Sequence, residues 1–216
     1  MKYVGTFLLA GALVAGCGEK AKEISEAMKT VQELPKIAEN LEQNQNEMEK
    51  FMAERAAKGD TVAMPYTELQ KFLPTSMDGY KLDGEPGGSQ QSMGAFSMSM
   101  AEQNWVSTTG DTNNPARIHV ILSDYGGTGA GYGVAGLAFT IQSQSEDNTQ
   151  KMRTYKTDYP YTFAAEVFRK DTKEATVTMG TRYRYIINVR ADNQTDDQTQ
   201  KATAIAMDIA KKLDGK

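Results

Sequence analysis

The sequence predicts an α+β fold: an antiparallel β-sheet with helices packed on it, preceded by a long N-terminal helical stalk. Residues 21–58 are rich in Ala, Glu, Lys, Gln and Met, which favour helix. Several stretches between residues 96 and 190 alternate apolar and polar side chains, as half-buried strands do. An amphipathic helix closes the chain. The order of helix, strands and helix is typical of α+β domains.

The chain begins with a short apolar segment that has the plan of a secretory signal. Lys2 is a minimal positive start, and an apolar run from Tyr3 to Val14 follows it. This run is shorter than the ~20 apolar residues that cross a bilayer. It leads to Cys17, the single cysteine, after which the sequence turns polar at once. The segment therefore predicts export rather than a membrane span.

The residues Val14, Ala15, Gly16 and Cys17 resemble the lipobox of bacterial lipoproteins, which ends in two small residues and a cysteine. This resemblance implies diacylation of the Cys17 thiol, cleavage after Gly16 and acylation of the new amino group. Two or three acyl chains hold a protein on a membrane stably, whereas one chain binds only marginally. The alternative interpretation is an ordinary signal peptide that happens to contain a cysteine.

Gly18 follows the predicted lipid site. In bacteria with two membranes, an Asp at that position resembles an inner-membrane retention signal. Gly18 in its place favours the outer membrane, facing the periplasm. In a one-membrane bacterium the same signal implies the outer face of the plasma membrane. We therefore expect a cell-envelope protein that is held on a membrane through lipid on Cys17.

The composition limits the classes of function. The 216 residues carry 24 Lys and Arg against 28 Asp and Glu, a net charge of −4, which argues against a nucleic-acid surface. The hydrophobic content of 39% suits one core. Once Cys17 carries lipid, no thiol remains, so the mature fold depends on packing without disulfides.

We divide the chain into a signal peptide over residues 1–16, a lipidated N-terminus and helical stalk over residues 17–59, and a globular domain over residues 60–216. Pro35 predicts a kink in the stalk. The pair Gly59-Asp60 predicts its C-terminal end.

The stalk helix at residues 21–58 also fits a heptad pattern. Its two seam positions hold Ile24, Val31, Ala38, Gln45 and Met52, and Ala27, Leu34, Leu41, Met48 and Arg55. Because most of these residues are apolar, the segment predicts either a coiled coil or a solvated stalk with a docking helix.

The globular part is predicted to begin with a short amphipathic helix over residues 66–73, closed by Pro74, and a loop over residues 83–88. In the first strand, Phe96, Met98 and Met100 are predicted to face the core, opposite Ser97 and Ser99.

Further strands are predicted over residues 117–122, 162–169, 175–179 and 183–189. The last two form a hairpin that reverses at Gly180. Their alternation places the arginines of the final strand on its outer face, namely Arg182, Arg184 and Arg190.

The closing helix is predicted to start at a capping box, Thr195-Asp196-Asp197-Gln198. Its apolar stripe consists of Ala202, Ile205, Ile209 and Leu213. The element order over residues 61–213 resembles the Mog1/PsbP-like fold, which implies a meandering sheet with flanking helices. Such a fold does not define a function.

Residues 131–136 fit the G-x-G-x-x-G pattern of dinucleotide sites. Such a site needs a helix next and then a parallel strand that ends in an acidic residue. Asp158 has a suitable spacing, but residues 155–161 lack the pattern of a buried parallel strand. Together with the glycines that begin at Gly126, the segment instead predicts a mobile loop that could cover a ligand or partner groove.

Four further clusters have both a chemical and a structural interpretation, and we favour the structural one for each. They are a copper site at Met93, Met98 and Met100, a hydrolase pair of His119 with Asp124, a calcium loop at Asp192, Asp196 and Asp197, and an aromatic patch at Tyr155, Tyr159, Tyr161 and Phe163. The structural interpretations are a core strand, a surface or satisfied strand histidine opposite Ile118, Val120 and Leu122, capping and surface charge, and loop packing.

The sequence thus predicts a non-catalytic envelope lipoprotein that binds a protein or a small ligand, without cofactor, metal or nucleic acid. Two alternatives remain open. One is a small-molecule or metal-handling protein that uses the loop at residues 126–136 and His119. The other is a coiled-coil oligomerisation or partner module at residues 21–58.

Overall fold

The computed structural model describes residues 42–94, 96–126, 143–194 and 196–214. Nine strands in these ranges form one sheet, and every strand pair in it is antiparallel. The predicted antiparallel sheet with packed helices is therefore confirmed. Cys17, Pro35 and the rest of residues 1–41 lie outside the described residues, as do residues 127–142.

The helices are α1 (residues 42–57), α2 (Tyr66–Leu69), followed by a 3₁₀ turn (Gln70–Phe72), and α3 (Thr199–Asp214). The strands are β1 (Tyr80–Leu82), β2 (Gly87–Met93), β3 (Phe96–Ser107), β4 (Arg117–Asp124), β5 (Ser143–Glu146), β6 (Gln150–Lys156), β7 (Thr162–Arg169), β8 (Glu174–Thr181) and β9 (Tyr185–Asp192). Their order in the sheet is β1-β3-β4-β9-β8-β7-β6-β5, and β2 also pairs with β3.

The main core lies between one face of the sheet and the elements α2 and α3. Alternate residues of the central strands point into it because successive side chains of a strand face opposite sides. They include Ile118, Val120, Leu122, Val177, Met179, Ile187 and Val189, all at most 1% exposed. The stripe of α3 that meets them contains Ala202, Ala206, Ile209, Ala210 and Leu213. This stripe matches the predicted one, except that Ile205 is only partly buried.

Helix α1 packs on the opposite face of the same sheet. Phe51 and Met48 contact a second apolar cluster, centred on the buried residues Phe163 and Tyr183. The ring of Phe51 lies 5.6 Å from that of Tyr183, and Glu47 accepts a 2.8 Å hydrogen bond from the Tyr183 hydroxyl. The helix therefore belongs to the fold, and it ends at residue 57, before a Gly59 with φ of +72°.

The compact unit that contains α1 and the sheet extends from Asn40 to Lys216. The sequence, in contrast, placed the start of the globular domain at residue 60. Positions Met48 and Arg55 of the predicted heptad seam face this chain's own sheet and the turn after β8. The part of the predicted stalk before residue 42 lies outside the described residues.

The side chains of β3 point to the opposite faces of the sheet from those predicted. Ser97 and Ser99 are 5% and 1% exposed, whereas Met98 and Met100 on the other face are only partly buried. The reason is that residues 61–65 cross this face of the strand. Ser97 Oγ accepts a 2.9 Å hydrogen bond from the backbone N–H of residue 63, and the Ser99 hydroxyl donates to the Met64 carbonyl. Small hydroxyl side chains satisfy a backbone that passes this closely, which methionines would not do.

The loop predicted over residues 83–88 is shorter than expected, because Gly87 and Gly88 begin β2. The ring of Tyr66 in α2 lies directly against Gly88. A Cβ at that position would meet the ring at 2.3 Å. Gly88 therefore allows α2 to pack closely on β2 because it has no side chain, and it does not form a turn.

The hairpin between β8 and β9 reverses at residues 182–184 and not at Gly180, which lies inside β8. Arg182 and Tyr183 both have positive φ, and the Arg184 N–H donates to the Thr181 carbonyl at 3.2 Å. Left-handed conformations cost about 1–2 kcal/mol for side-chain-bearing residues. The contacts of this turn must offset that cost.

Helix α3 begins at Thr199, later than the predicted capping box implies. The Asp197 carboxylate accepts a 2.9 Å hydrogen bond from the Thr199 N–H, and Gln198 bonds to Asp196 instead of capping. Thr195 lies outside the described residues.

Replacing Phe51 with Ala should lower the free energy of unfolding by about 1–2 kcal/mol, because it removes a half-buried ring from the second apolar cluster. Urea denaturation measures this change. The matched control is Lys50→Ala on the exposed side of α1, which should stay within about 0.5 kcal/mol of wild type. Equal stability of the two variants would mean that α1 does not contribute to the fold.

Candidate functional site

A buried ion pair between Arg184 and Asp124 forms the centre of the candidate site. Arg184 Nε donates to Asp124 Oδ1 at 2.7 Å, and Nη2 donates to Oδ2 at 2.8 Å. The two side chains are 7% and 0% exposed. The remaining guanidinium donors bond to Asp60 Oδ2 at 2.6 Å and to the Val62 carbonyl at 3.2 Å. One guanidinium thus joins the end of β4, the turn before β9 and the chain that follows α1.

Asp124 also binds two backbone N–H groups. Met64 N donates to its Oδ2 at 2.7 Å, and Gly126 N donates to its Oδ1 at 2.8 Å. Gly126 has φ of +61°, and a Cβ at this position would lie 3.1 Å from three backbone atoms of neighbouring segments, so a side chain there would be strained. Both oxygens of the Asp124 carboxylate therefore accept hydrogen bonds that hold parts of the fold together.

Burial on its own would lower the pKa of Arg184, but the hydrogen bonds and charge of Asp124 outweigh this and raise it above the usual arginine value. Arg184 thus stays charged at any physiological pH. Taking two charges out of water costs several kcal/mol, which only close geometry and additional hydrogen bonds offset. Both conditions are met here.

A cavity of about 570 Å³ lies beside this ion pair, and we call it the junction pocket. Its walls come from the last turns of α1, from residues 58–65, from the β8–β9 turn and from the end of α3. The lining residues are Phe51, Glu54, Arg55, Lys58, Asp60, Val62, Ala63, Met64, Pro65, Arg182, Arg184, Tyr185 and Leu213. Its volume is in the range of small-molecule sites.

Among the arginines that line the pocket, Arg55 is the one without a carboxylate partner in the described residues. Its Nε donates to the Phe51 carbonyl and its Nη2 to the Tyr183 carbonyl, both at 3.3 Å. Its Nη1 is buried and has no partner within the described part of the chain. Burial and the neighbouring charge of Arg184 lower the pKa of Arg55.

A second polar cluster surrounds Glu166 on the α3 side of the sheet. Its carboxylate accepts hydrogen bonds from Tyr155 at 2.6 Å, from Thr203 at 2.9 Å and from Arg153 at 3.2 Å. The carboxylate of Glu166, on β7, is satisfied by three donors on two elements, β6 and α3. This cluster therefore holds α3 against β6 and β7.

The glycine-rich segment falls almost entirely outside the described residues, since only Gly126 of residues 126–136 belongs to them. Asp158 lies in the turn between β6 and β7. All strand pairs of the described sheet are antiparallel, so β4 does not lead into a parallel βαβ unit with any of them. Cys17 is likewise outside the described part.

His119 and Asp124 do not form a catalytic pair. They project from opposite faces of β4, and Asp124 is fully occupied by Arg184. His119 Nε2 lies 3.4 Å from a carboxylate oxygen of Glu102 on the neighbouring strand, on the sheet face away from the main core. His119 therefore lies on the face opposite Ile118, Val120 and Leu122, but its Nε2 is buried and has no hydrogen-bond partner among the described residues.

The three methionines of the predicted copper site share one face of the β2–β3 hairpin, because Met93 pairs with Phe96, whereas the aspartates of the predicted calcium loop take separate partners. Met93 is 80% exposed at the tip of the β2–β3 hairpin. Asp192 pairs with Arg190, and Asp197 caps α3.

The aromatic residues around Pro160 also separate. Tyr155 belongs to the Glu166 cluster, and Tyr159 lies in the β6–β7 turn. Tyr161 meets Phe51 of α1 edge-on at 4.6 Å, and Phe163 lies in the second apolar cluster. Packing explains these rings, mainly against α1.

Two features are absent from the described ranges. No three side chains of His, Cys, Asp or Glu in them lie close enough together to hold a metal ion. No helix in them has the length and apolar character that a membrane span requires.

Sequence reasoning missed the residues that build the junction pocket. Arg184 was assigned to the outer face by alternation, but it belongs to a turn that redirects it inward. Arg55 carried the one available signal, because it is the charged residue in a predicted seam that is mostly apolar. Asp124 gave no local signal, since its partners are distant in the sequence.

No protein-family model matches the chain, and no curated protein matches it. Among solved structures, the extracellular domain of PknH from Mycobacterium tuberculosis is similar at 11% identity and a TM-score of 0.44, covering 72% of this chain and 100% of that one. A GTP binding regulator from Thermotoga maritima is similar at 12% identity and a TM-score of 0.28, covering 69% and 89%. Similarity at this level assigns neither a family nor a function.

Replacing Arg184 with Met should destabilise the fold by about 3–5 kcal/mol, because it leaves the buried carboxylate of Asp124 without its counter-ion. Chemical denaturation measures the change. The matched control is Arg190→Met on β9, whose guanidinium is half exposed and whose pair with Asp192 contributes at most about 1 kcal/mol. A loss at Arg184 no larger than that at Arg190 would contradict the structural role of the buried pair.

Proposed function

We propose that the protein is a lipid-anchored envelope lipoprotein whose globular domain has a binding role and no catalytic one. The observation that carries this proposal is the sequence Val14 to Cys17, in which two small residues precede the only cysteine and a polar chain follows. Lipid on Cys17 gives the protein a stable hold on a membrane.

The geometry of the domain supports the binding role. The junction pocket is a concave site with charged groups and apolar walls, which is the usual character of a ligand site. His119 and Asp124, the predicted hydrolase pair, lie on opposite faces of β4, and Asp124 is bonded to Arg184.

The proposed location is the cell envelope, and Gly18 favours the outer membrane facing the periplasm in a bacterium with two membranes. A protein partner in the envelope is part of the proposal. An alternative role, partner binding through residues 21–58, has to take into account that Phe51, Met48 and Arg55 contact the protein's own sheet and turn.

Replacing Cys17 with Ser should abolish incorporation of radiolabelled palmitate and move the protein from the membrane fraction to the soluble fraction. The reason is that a serine hydroxyl does not accept the diacylglyceryl group in place of the thiol. Wild type and a Ser25→Ala variant, which keeps the lipobox, serve as controls. Unchanged palmitate labelling or membrane retention in Cys17→Ser would refute the anchor.

Replacing Gly18 with Asp should keep palmitate labelling but shift the protein toward the inner membrane in a host with two membranes. Density-gradient separation of the two membranes reads out this change. Gly18→Ser is the control and should remain with wild type. The proposed outer-membrane address fails if wild type itself fractionates with the inner membrane.

A further inference from the structure

The charged groups around the junction pocket are not equally satisfied. Arg184 binds two carboxylates, those of Asp124 and Asp60. Arg182 donates to the carbonyls of Leu213 and the following residue at the end of α3. These two guanidinium groups already have acceptors within the fold.

Arg55 differs from both. No carboxylate lies within ion-pair distance of its guanidinium among the described residues, and its two bonded nitrogens reach only backbone carbonyls. The third nitrogen, Nη1, is buried without an acceptor. A partly buried cation without a counter-ion is unfavourable, and an oxyanion in the pocket would supply the opposite charge.

Lys58 lies one turn further along, close to the end of α1, and is exposed at the pocket. Glu54 and Asp60 are the acidic lining residues, and Asp60 is already bonded to Arg184. Arg55 and Lys58 therefore supply positive charge that the fold does not neutralise directly.

The remaining walls are apolar. They include Phe51, Met64, Pro65 and Leu213, and at the edge Val62, which is 61% exposed. A large exposed aliphatic side chain at the edge of a charged cavity suits a ligand with an apolar part beside its charged group.

We propose that the junction pocket binds a small amphiphilic anion, with its oxyanion head on Arg55 and Lys58 and a short apolar tail against Val62, Met64 and Leu213. The planar guanidinium of Arg55 suits a carboxylate or a phosphate head, both of which accept hydrogen bonds from it in pairs. The inference rests on the binding role proposed above but not on lipidation.

Isothermal titration calorimetry of the full chain tests the chemistry with four probes: hexanoate, hexyl phosphate, hexan-1-ol and inorganic phosphate. At least one of the two amphiphilic anions should bind about tenfold or more tightly than hexan-1-ol, which lacks the charge, and than inorganic phosphate, which lacks the tail. The tighter of the two anions identifies the head group. Binding of neither anion, or equal binding of hexan-1-ol, would overturn the proposal.

Arg55→Met should weaken binding of the preferred anion about tenfold or more, whereas Lys50→Met, the same charge change on the exposed face of α1, should leave it unchanged. Equal affinities of Arg55→Met and wild type would overturn the site. If Arg55→Met does not fold, NMR of the wild type replaces it. The Arg55 Nε–H resonance should shift on titration with the anion, and an unmoved resonance at saturation would overturn the site.

The two proposals fail separately. Both proposals are supported if the Cys17→Ser chain carries no palmitate, is absent from the membrane fraction and still binds the anion. A palmitoylated wild type that binds neither anion keeps the anchor and removes this site.

Discussion

The structure depends on the buried ion pair of Arg184 with Asp124. Six hydrogen bonds meet at these two side chains, and they come from the end of β4, the turn before β9 and the segment after α1. A pair removed from water in this way stabilises a protein only while all its partners are in place. The three segments therefore take up their positions cooperatively, and the rest of the fold depends on the ion pair for this reason.

The geometry of the junction pocket follows from this constraint. Residues 60–64 are held against β3 and β4, and this sets the direction in which the chain leaves α1. The ring of Phe51 in α1 consequently packs against the ring of Tyr183 in the β8–β9 turn. The two left-handed residues Arg182 and Tyr183 persist because both are held by contacts to α3 and α1. The pocket forms where these elements meet. A ligand that touched both α1 and the turn would stabilise their association by mass action.

The sequence predicted the strands wherever apolar alternation alone sets the facing, as in β4, β7 and β8, and it predicted the stripe of α3 for the same reason. It was wrong where a distant backbone segment determines the facing. Ser97 and Ser99 are buried because residues 61–65 bond to them, and nothing next to the serines encodes that contact. The candidate site escaped prediction on similar grounds, since Arg184 and Asp124 are sixty residues apart and Arg55 lies further away still. Only the lipid site at Cys17 is local enough to be proposed from sequence, and it remains a prediction.

The central claim is that α1 is a part of the folded domain and a wall of its pocket. Native-state hydrogen exchange of the full chain tests it most directly. We expect the amides of residues 48–57 to open with a free energy of about 3 kcal/mol or more, within the range of the β8–β9 hairpin. An isolated helix of this length is marginal in water. Exchange of these amides at the rate of an unprotected helix, while β8 and β9 stay protected, would contradict the account.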